Sequence, residues 1–353
     1  MFCRTHAIYV SENDRVEEGT REGGKIALKA LALLSGGLDS TLAAKLIREQ
    51  GVDIVAVNFT SPFCLCGKGG CGAAETAKQL KIPLKMISVG EDYLKMLRKP
   101  KYGYGKNMNP CIDCRIFMLK KAKEYAEKIG ASFIFTGEVL NERPMSQHLK
   151  ALEIIETEAK LEGKILRPLS ARLLPKTEAE EKGWVDREKL LDIRGRSRKR
   201  QIALAEKLDI RDYPCPAGGC LLTYREFAAK LRDLFKHRKK AGAKEISLLK
   251  IGRHFRSKRS KIIVGRNQAE NKQLLQMRGA RDYCFEVPDC GSPTTLLQGP
   301  KTQEAIRKAA ALTLRYSDNR EKTALVKFGG EKIDKSLTVS ALEESEIEEL
   351  RIK

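Results

Sequence analysis

Two rhythms of apolar and polar positions divide the chain. Up to about residue 135, short runs of consecutive apolar residues recur: Ile26–Leu34, Ile54–Asn58, Leu84–Val89 and Phe133–Phe135. Runs of that length without alternation are typical of strands buried on both faces. Between them, Thr41–Ile47, Ala73–Leu80 and Cys111–Ile129 carry apolar residues at three- and four-residue spacing, which predicts helices. Strands alternating with helices predict an α/β domain, a parallel sheet with helices on both faces. Residues 98–110, with Pro100, Gly103, Gly105 and Pro110, read as a loop. Helices are predicted at Arg198–Leu208 and Tyr224–Arg238, on either side of a Pro/Gly/Cys-rich loop over 211–223. After Arg238 the rhythm changes. Lys261–Gly265, Tyr283–Val287 and Leu325–Phe328 predict short strands and Gln303–Leu314 a helix, which together make a smaller α+β domain. The predicted organisation is an N-terminal arm at 1–25, an α/β domain at 26–238 and a C-terminal α+β domain at 239–353. The acidic stretch Glu343–Glu349 reads as a tail or an exposed helix.

Candidate chemistry begins where the first strand meets the first helix, at Ser35-Gly36-Gly37-Leu38-Asp39-Ser40. Glycines let the backbone approach an anion closely, and the following helix aims unpaired N–H groups at the same point. Ser35 and Ser40 add hydroxyl donors. A carboxylate repels phosphate, so Asp39 makes sense as a Mg2+ ligand or as a group that orients the loop. The bland alternative is an ordinary strand-to-helix turn.

Charge narrows the choice of partner. The 353 residues carry a net charge of +21, unevenly spread. Residues 236–281 hold fifteen Lys or Arg against Glu245 and Glu270, and Arg194–Arg200 packs five cations into seven positions. Such clustering favours a polyanion, nucleic acid above all, over a merely solvated surface. No apolar run approaches the length of a membrane span, and residues up to Glu22 have no apolar core of the signal-peptide kind. The expectation is a cytoplasmic protein without a membrane association.

Ten cysteines in such a setting suggest ligands or reactive thiols rather than disulfides. Most are grouped: Cys64, Cys66 and Cys71; Cys111 and Cys114; Cys215 and Cys220. Cys111 and Cys114 open a predicted helix, whose N-terminus should favour thiolate. Cys64-x-Cys66-x4-Cys71 fits a second metal site, a sulfur relay or chance. Cys3, Cys284 and Cys290 read as structural.

The loop Ser35–Ser40 resembles that of the PP-loop ATP pyrophosphatases, and differs from a Walker loop in lacking the Gly-Lys-Ser/Thr ending. Thr136-Gly137-Glu138 is similar to the second nucleotide-contacting turn of that superfamily, and Asn58-Phe59 lies where its members hold adenine. Within the superfamily, Asn109-Pro-Cys111-Ile-Asp-Cys114, Pro214-Cys215-Pro-Ala-Gly-Gly-Cys220 and Thr136–Gln147 with Arg167–Ser170 resemble the tRNA thiolation group, the 4-thiouridine synthases and 2-thiouridylases. Lys250–Arg256 and Ile263–Asn271 are similar to NFACT-R type RNA-associated domains.

These resemblances imply an ATP-dependent tRNA sulfurtransferase. The base carbonyl would be adenylylated and then replaced by sulfur, with AMP and pyrophosphate released. Ser35, Gly36, Gly37, Asp39, Ser40, Asn58, Phe59 and Gly137 would bind ATP and Mg2+. Cys111 and Cys220 would be the essential pair, and Asp39 would act beside them. Cys111, Cys114 and Cys220 would hold a 4Fe-4S cluster with one open iron, although a direct persulfide route or a structural zinc site fits the same thiols. Cys215 is the rival to Cys220, which is preferred because its glycine neighbours permit a close approach. The implied partners are tRNA or another structured RNA and a sulfur donor, either sulfide or a cysteine desulfurase. Lys199 and Arg200 could steady the phosphates, or the whole knot could contact RNA. His148, His237 and His254 have no partner pattern and read as surface or RNA-contact residues, and Trp184 as packing under a loop. Two rival readings remain: a PP-loop sulfur transferase or amide ligase acting on a small molecule, and a non-catalytic RNA-binding protein.

Overall fold

The computed structural model describes residues 28–64, 72–211, 213 and 220–353. The expected N-terminal arm and Cys3, Cys66, Cys71 and Cys215 lie outside the described residues. The chain divides into two compact units that meet between Leu221 and Leu222.

The N-terminal unit contains, in chain order, β1 (Lys29–Leu33), α1 (Leu38–Arg48), β2 (Asp53–Thr60), α2 (Gly72–Gln79), β3 (Leu84–Ser88), α3 (Glu91–Arg98), α4 (Cys111–Lys128), β4 (Phe133–Thr136), α5 (Leu149–Ala159), β5 (Ile165–Leu166), α6 (Glu178–Glu181) and α7 (Lys199–Lys207). Its five strands are all parallel, in the order β3-β2-β1-β4-β5. Successive side chains of a strand face opposite ways. Ala30, Ala32 and Leu34 accordingly join one core with Leu38, Leu42 and Ile47 of α1. Leu31 joins the other core with Ile116 and Leu119 of α4 and Ile155 of α5. The sheet is therefore covered on both faces, and the consecutive apolar runs follow from that burial.

The strand order reverses at β1: the chain moves outward through β2 and β3, then returns to place β4 on the other side of β1. Open α/β sheets bind ligands in the crevice beyond the strand ends at such a switch point. Both turns singled out from the sequence, the one after β1 and the one after β4, open onto this crevice.

The C-terminal unit contains α8 (Arg225–His237), α9 (Ala243–Leu249), β6 (Arg253–Ser257), β7 (Ser260–Val264), α10 (Gln268–Met277), β8 (Tyr283–Glu286), β9 (Thr295–Gln298), α11 (Gln303–Arg315), β10 (Thr323–Gly329), β11 (Lys335–Ser340) and α12 (Glu344–Leu350). Its six strands form an antiparallel sheet in the order β11-β10-β8-β9-β7-β6. One face packs on α11 through Phe255, Ile262, Phe285, Ala305 and Ala309. The other holds Ile263, Cys284 and Leu296 with Leu248 of α9 and Leu274 of α10.

Three features differ from the sequence reading. Helix α8, which that reading assigned to the nucleotide-binding part, falls in the C-terminal unit. Asp233 on α8 pairs with Arg256 and Lys261 of β6 and β7, and Lys230 donates to the carbonyls of Leu249 and Gly252. The acidic C-terminus is a helix that buries Ile347 and Leu350. His254 is 3% exposed, with Nε2 2.7 Å from the Ile251 carbonyl, so it is a core histidine rather than a surface one. Burial and the nearby Lys261 and Lys230 hold its pKa well below the ordinary value. Of the other histidines, His148 caps α5 by accepting from the Ala151 amide, and His237 lies 3.3 Å from Asp233. Trp184 is half-buried and stacks on Phe133. Cys284 is buried in the core, and burial pushes its thiol up to about 11. Cys290 packs half-buried against the same unit's other core cluster. Among the described residues, no helix is long and apolar enough to cross a membrane.

Candidate nucleotide and sulfur site

The turn after β1 is shaped by close backbone packing. Gly36 adopts φ +76°, and a Cβ there would lie 2.1 Å from the Ala73 nitrogen at the start of α2. Only glycine fits. Gly37 occupies the N-cap of α1, where no side chain caps the helix, so the first amides are left for an external acceptor. The Ser35 and Ser40 hydroxyls lie 3.0 Å apart, and Ser40 Oγ also donates to the Gly37 carbonyl. The loop is thus braced by its own hydroxyls and can cradle a phosphate against the helix N-terminus.

Gly137, in the turn after β4, presses on the same helix start. A Cβ there would sit 2.4 Å from the Ser40 amide nitrogen and 2.6 Å from the Asp39 carbonyl carbon. Gly137→Ala is expected to displace the start of α1, lowering stability by about 1–3 kcal/mol and weakening ATP binding at least ~10-fold, since the donors converge on one anion. A nucleotide titration of the variant tests this; unchanged affinity would mean that the turn does not shape the phosphate site.

Glu138, 2% exposed, holds this turn in place. It pairs with Arg115 of α4 at 3.2 Å and with Arg167 at 3.1 Å, and accepts from the Thr136 hydroxyl. Burial works to raise its pKa, but Arg115, Arg167 and the Thr136 hydroxyl outweigh it and keep the carboxylate below its ordinary value. The Asn141–Gln147 run that follows is tied back on itself: Gln147 accepts from the Arg143 amide, and its carbonyl accepts from the Asn141 amide. Ser170 accepts from the Leu140 amide and donates to the Ile193 carbonyl. The residues behind the thiolation-enzyme resemblance therefore form the scaffold of the crevice.

Asp39 meets a cation that the sequence reading had grouped with the RNA-contact knot. Arg198 Nη2 lies 3.0 Å from Asp39 Oδ2, while Asp39 Oδ1 is buried without a hydrogen-bond partner. Burial raises the Asp39 pKa despite Arg198 and Arg143. Glu142 stands close enough that its own pKa is raised by burial and by the Asp39 charge. Arg200 instead pairs with Asp192, and Lys199 is exposed. Asn58 is buried and donates from Nδ2 to the Leu34 carbonyl at 2.7 Å, joining β2 to the strand that leads into the loop. Phe59 is half-buried beside the other core.

The cysteines gather at the neighbouring edge. Cys111 and Cys114 occupy the first turn of α4. The thiolate expected from the helix N-terminus is not favoured, because burial pushes both thiols up against the opposing pull of Arg143 and Arg115 on Cys111 and of Tyr93 and Arg115 on Cys114. Tyr93 of α3, buried beneath them, donates to Cys114 Sγ at 3.3 Å. Cys220 pairs with Cys64 across an isolated antiparallel bridge, and the Leu221 amide donates to the Phe63 carbonyl. Cys64 and Cys220 both act electrostatically on Tyr93. The structure thus places Cys64 opposite Cys220, with its charge acting on Cys114, an arrangement that the spacing in sequence had left without an account. Among the described residues, no three His, Cys, Asp or Glu side chains stand grouped as metal ligands.

Arg143 connects the two halves, because its charge acts on Asp39 and Glu142 on one side and on Cys111 on the other. Neither Arg143, Arg115, Arg198 nor Tyr93 carried a sequence signal of its own. Arg143 and Arg198 lay inside recognisable runs, but their partners come from other elements.

A parallel sheet of this order, with Ser-Gly-Gly-x-Asp-Ser at its switch point, defines a PP-loop nucleotide-binding domain. In comparisons with known proteins, residues 26–173 match the family "Thiamine biosynthesis protein (ThiI)" and residues 252–351 match "NFACT protein RNA binding domain". The chain therefore carries a region similar to the ThiI family followed by a region similar to NFACT-type RNA-binding domains. It is 31% identical over 125 residues to the tRNA-specific 2-thiouridylase MnmA of Leptospira interrogans, covering 31% of this chain and 33% of that protein. It is 34% identical over 152 residues to a probable tRNA sulfurtransferase of Alkaliphilus metalliredigens, covering 40% of this chain and 36% of that one. A solved 4-thiouridine synthetase in complex with RNA and ATP is 30% identical, covers 40% of this chain and 37% of its own, and has a TM-score of 0.32. The chain spans about a third of the length of the curated relatives it matches.

Proposed function

We propose that this protein is an ATP-dependent tRNA thiolation enzyme acting on a uridine. The observation that carries this reading is that the charge of Arg143 acts on Asp39 of the phosphate loop, on Glu142 and on the Cys111 thiol, so the loop and the thiols share one electrostatic environment. The sequence likeness to a 2-thiouridylase and to a probable tRNA sulfurtransferase supports the same reaction.

The α1 amides and the Ser35 and Ser40 hydroxyls hold the ATP phosphates. Arg198 and Arg143 offset their charge and orient the α-phosphate. Asp39, whose Oδ1 is buried and unpartnered, and Glu142, whose pKa its charge raises, would hold a hard divalent cation. Mg2+ bound there would stabilise the departing pyrophosphate. The uridine carbonyl oxygen attacks the α-phosphorus and pyrophosphate leaves. Sulfur then bonds to the activated carbon, the carbon–oxygen bond breaks, and AMP carries the oxygen away.

Cys111, Cys114 and Cys220 would hold a 4Fe-4S cluster. Their soft thiol donors suit iron, and such a cluster would supply an open iron for sulfide. A second reading, persulfide transfer through Cys220, is favoured by one observation, the second thiol of Cys64 placed opposite it. The sulfur donor is sulfide or a cysteine desulfurase. The reading places the enzyme in the cytoplasm, with the basic C-terminal unit holding RNA phosphates in a salt-sensitive manner.

The deciding experiment is purification without oxygen, measurement of the absorption spectrum and iron content, and incubation with bulk tRNA, ATP and sulfide. A thionucleoside detected by mass spectrometry is expected. Its absence with RNA bound normally would sink the reading. Cys114→Ala is expected to lower iron and activity together; full activity would select the persulfide route.

A further inference from the structure

The C-terminal unit contains an open cleft of about 440 Å³ beside α8. Arg232, Lys236 and His237 line it from α8, Arg256 from β6, and Lys258 and Lys353 from the β6–β7 turn and the chain end. Asp233 is the one acidic residue in the lining, and it is already engaged. It takes Arg256 through two hydrogen bonds, His237 at 3.3 Å and Lys261 at 3.9 Å. Lys258 and Lys353 reach Glu304 and Glu348 outside the cleft.

Behind the cleft, cations crowd one another at Lys261. Lys261 is 6% exposed, and its pKa falls to about 7 because burial and the neighbouring Arg256, Lys230 and Arg238 outweigh Asp233. His254 is pulled down by burial and then by Lys261 and Lys230, and Lys230 by burial and then by Arg266 against the opposing pull of Glu226 and Glu270. The lining itself carries Arg232, Lys236, Arg256, Lys258 and Lys353 against the single carboxylate of Asp233, so this concave surface has an excess of positive charge, which an anion would complete. Planar guanidiniums and mobile ammoniums around an open concavity suit the oxygens of a phosphate group.

We propose that the cleft beside α8 is a phosphate-binding site, filled by a backbone phosphate of bound RNA. The inference rests on the proposed RNA substrate and deepens it. Part of the site lies on α8, ahead of the residues 252–351 that match the NFACT domain, so RNA binding by this unit requires the helix that precedes that match.

Filter binding of bulk tRNA to the full chain across a salt series tests the proposal. The double variant Arg232→Glu, Lys236→Glu should bind at least ~10-fold more weakly, and its slope of log affinity against log salt should fall by about 2. The control Lys322→Glu, Lys327→Glu changes charge equally. Lys327 lies on β10, four strands from β6 and roughly 19 Å away. The control should stay within ~2-fold of wild type. If the double variant fails to fold by circular dichroism, the exposed Lys236→Glu alone carries the test. Calorimetry with inorganic phosphate separates the sources of the ligand. Phosphate bound by wild type and lost in the variant, with tRNA affinity unchanged, would keep the site and remove RNA as its ligand. A variant that matches the control in both assays overturns the proposal. Wild-type protein that binds no tRNA at any salt would instead overturn the proposed function.

Discussion

Glu138→Gln is expected to destabilise the N-terminal unit by about 3–5 kcal/mol, the typical cost of removing one partner from a buried ion pair. The glutamine would leave Arg167, itself 4% exposed, with only Glu156 as a charged partner, and would free Arg115 from the turn after β4. Urea or thermal unfolding of the full chain would show the loss in the transition of that unit. An acid titration adds a signed test. The Glu138 carboxyl is held below its ordinary value in the folded state, so the folded state binds fewer protons than the unfolded one between the two pKa values. Its contribution is therefore fully present above the unfolded value near 4.5 and is lost as pH falls through the lower folded value. Glu138→Gln should flatten that acid limb. A variant with wild-type unfolding and an unchanged acid limb would show that Arg115 and Arg167 do not depend on the carboxylate. Because Gly137 adjoins Glu138 and presses on α1, weaker ATP binding should accompany the lost stability.

The second large effect concerns the thiols. Cys220→Ser and Cys111→Ser are each expected to reduce thionucleoside formation at least ~1000-fold, the scale of losing a group that takes part in bond making. Pyrophosphate release that depends on tRNA and ATP should persist, because the phosphate loop is built from β1, α1 and the turn after β4, not from the cysteine segments. Measuring pyrophosphate and thionucleoside in one reaction separates the two steps. Loss of both activities in a folded variant would make the cysteines structural. Retention of both would place the sulfur elsewhere, and Cys64, across the bridge from Cys220, is the next thiol to replace.

The α/β architecture was legible because a sheet covered on both faces demands consecutive apolar runs, and the inner strands β1, β2 and β4 have them. Helix α3 was not legible. It is short, and its buried residues Tyr93, Leu94 and Leu97 sit among five charged positions from Glu91 to Lys99. Strand β5 has two residues, too few to show any period. The boundary after α8 was drawn where the strand rhythm changes, but rhythm does not say which core receives the helix. That is decided by ion pairs from Asp233 to strands more than twenty residues later.

The candidate site shows the same division. From sequence alone, Ser35–Ser40 marks a loop for anions, because glycine conformations and an uncapped helix start are local properties. The cysteine spacing likewise marks thiols at a helix start. Only the tertiary structure decided how these pieces meet. Arg198 crosses 159 residues of chain to reach Asp39, Tyr93 rises from α3 to Cys114, and Cys64 comes to face Cys220. It also reversed the ionisation expected of the thiols, since burial acts on the charged form more strongly than a helix end. Local chemistry can be read from neighbouring residues, whereas charge pairing and desolvation depend on which distant elements the sheet order brings to its switch point.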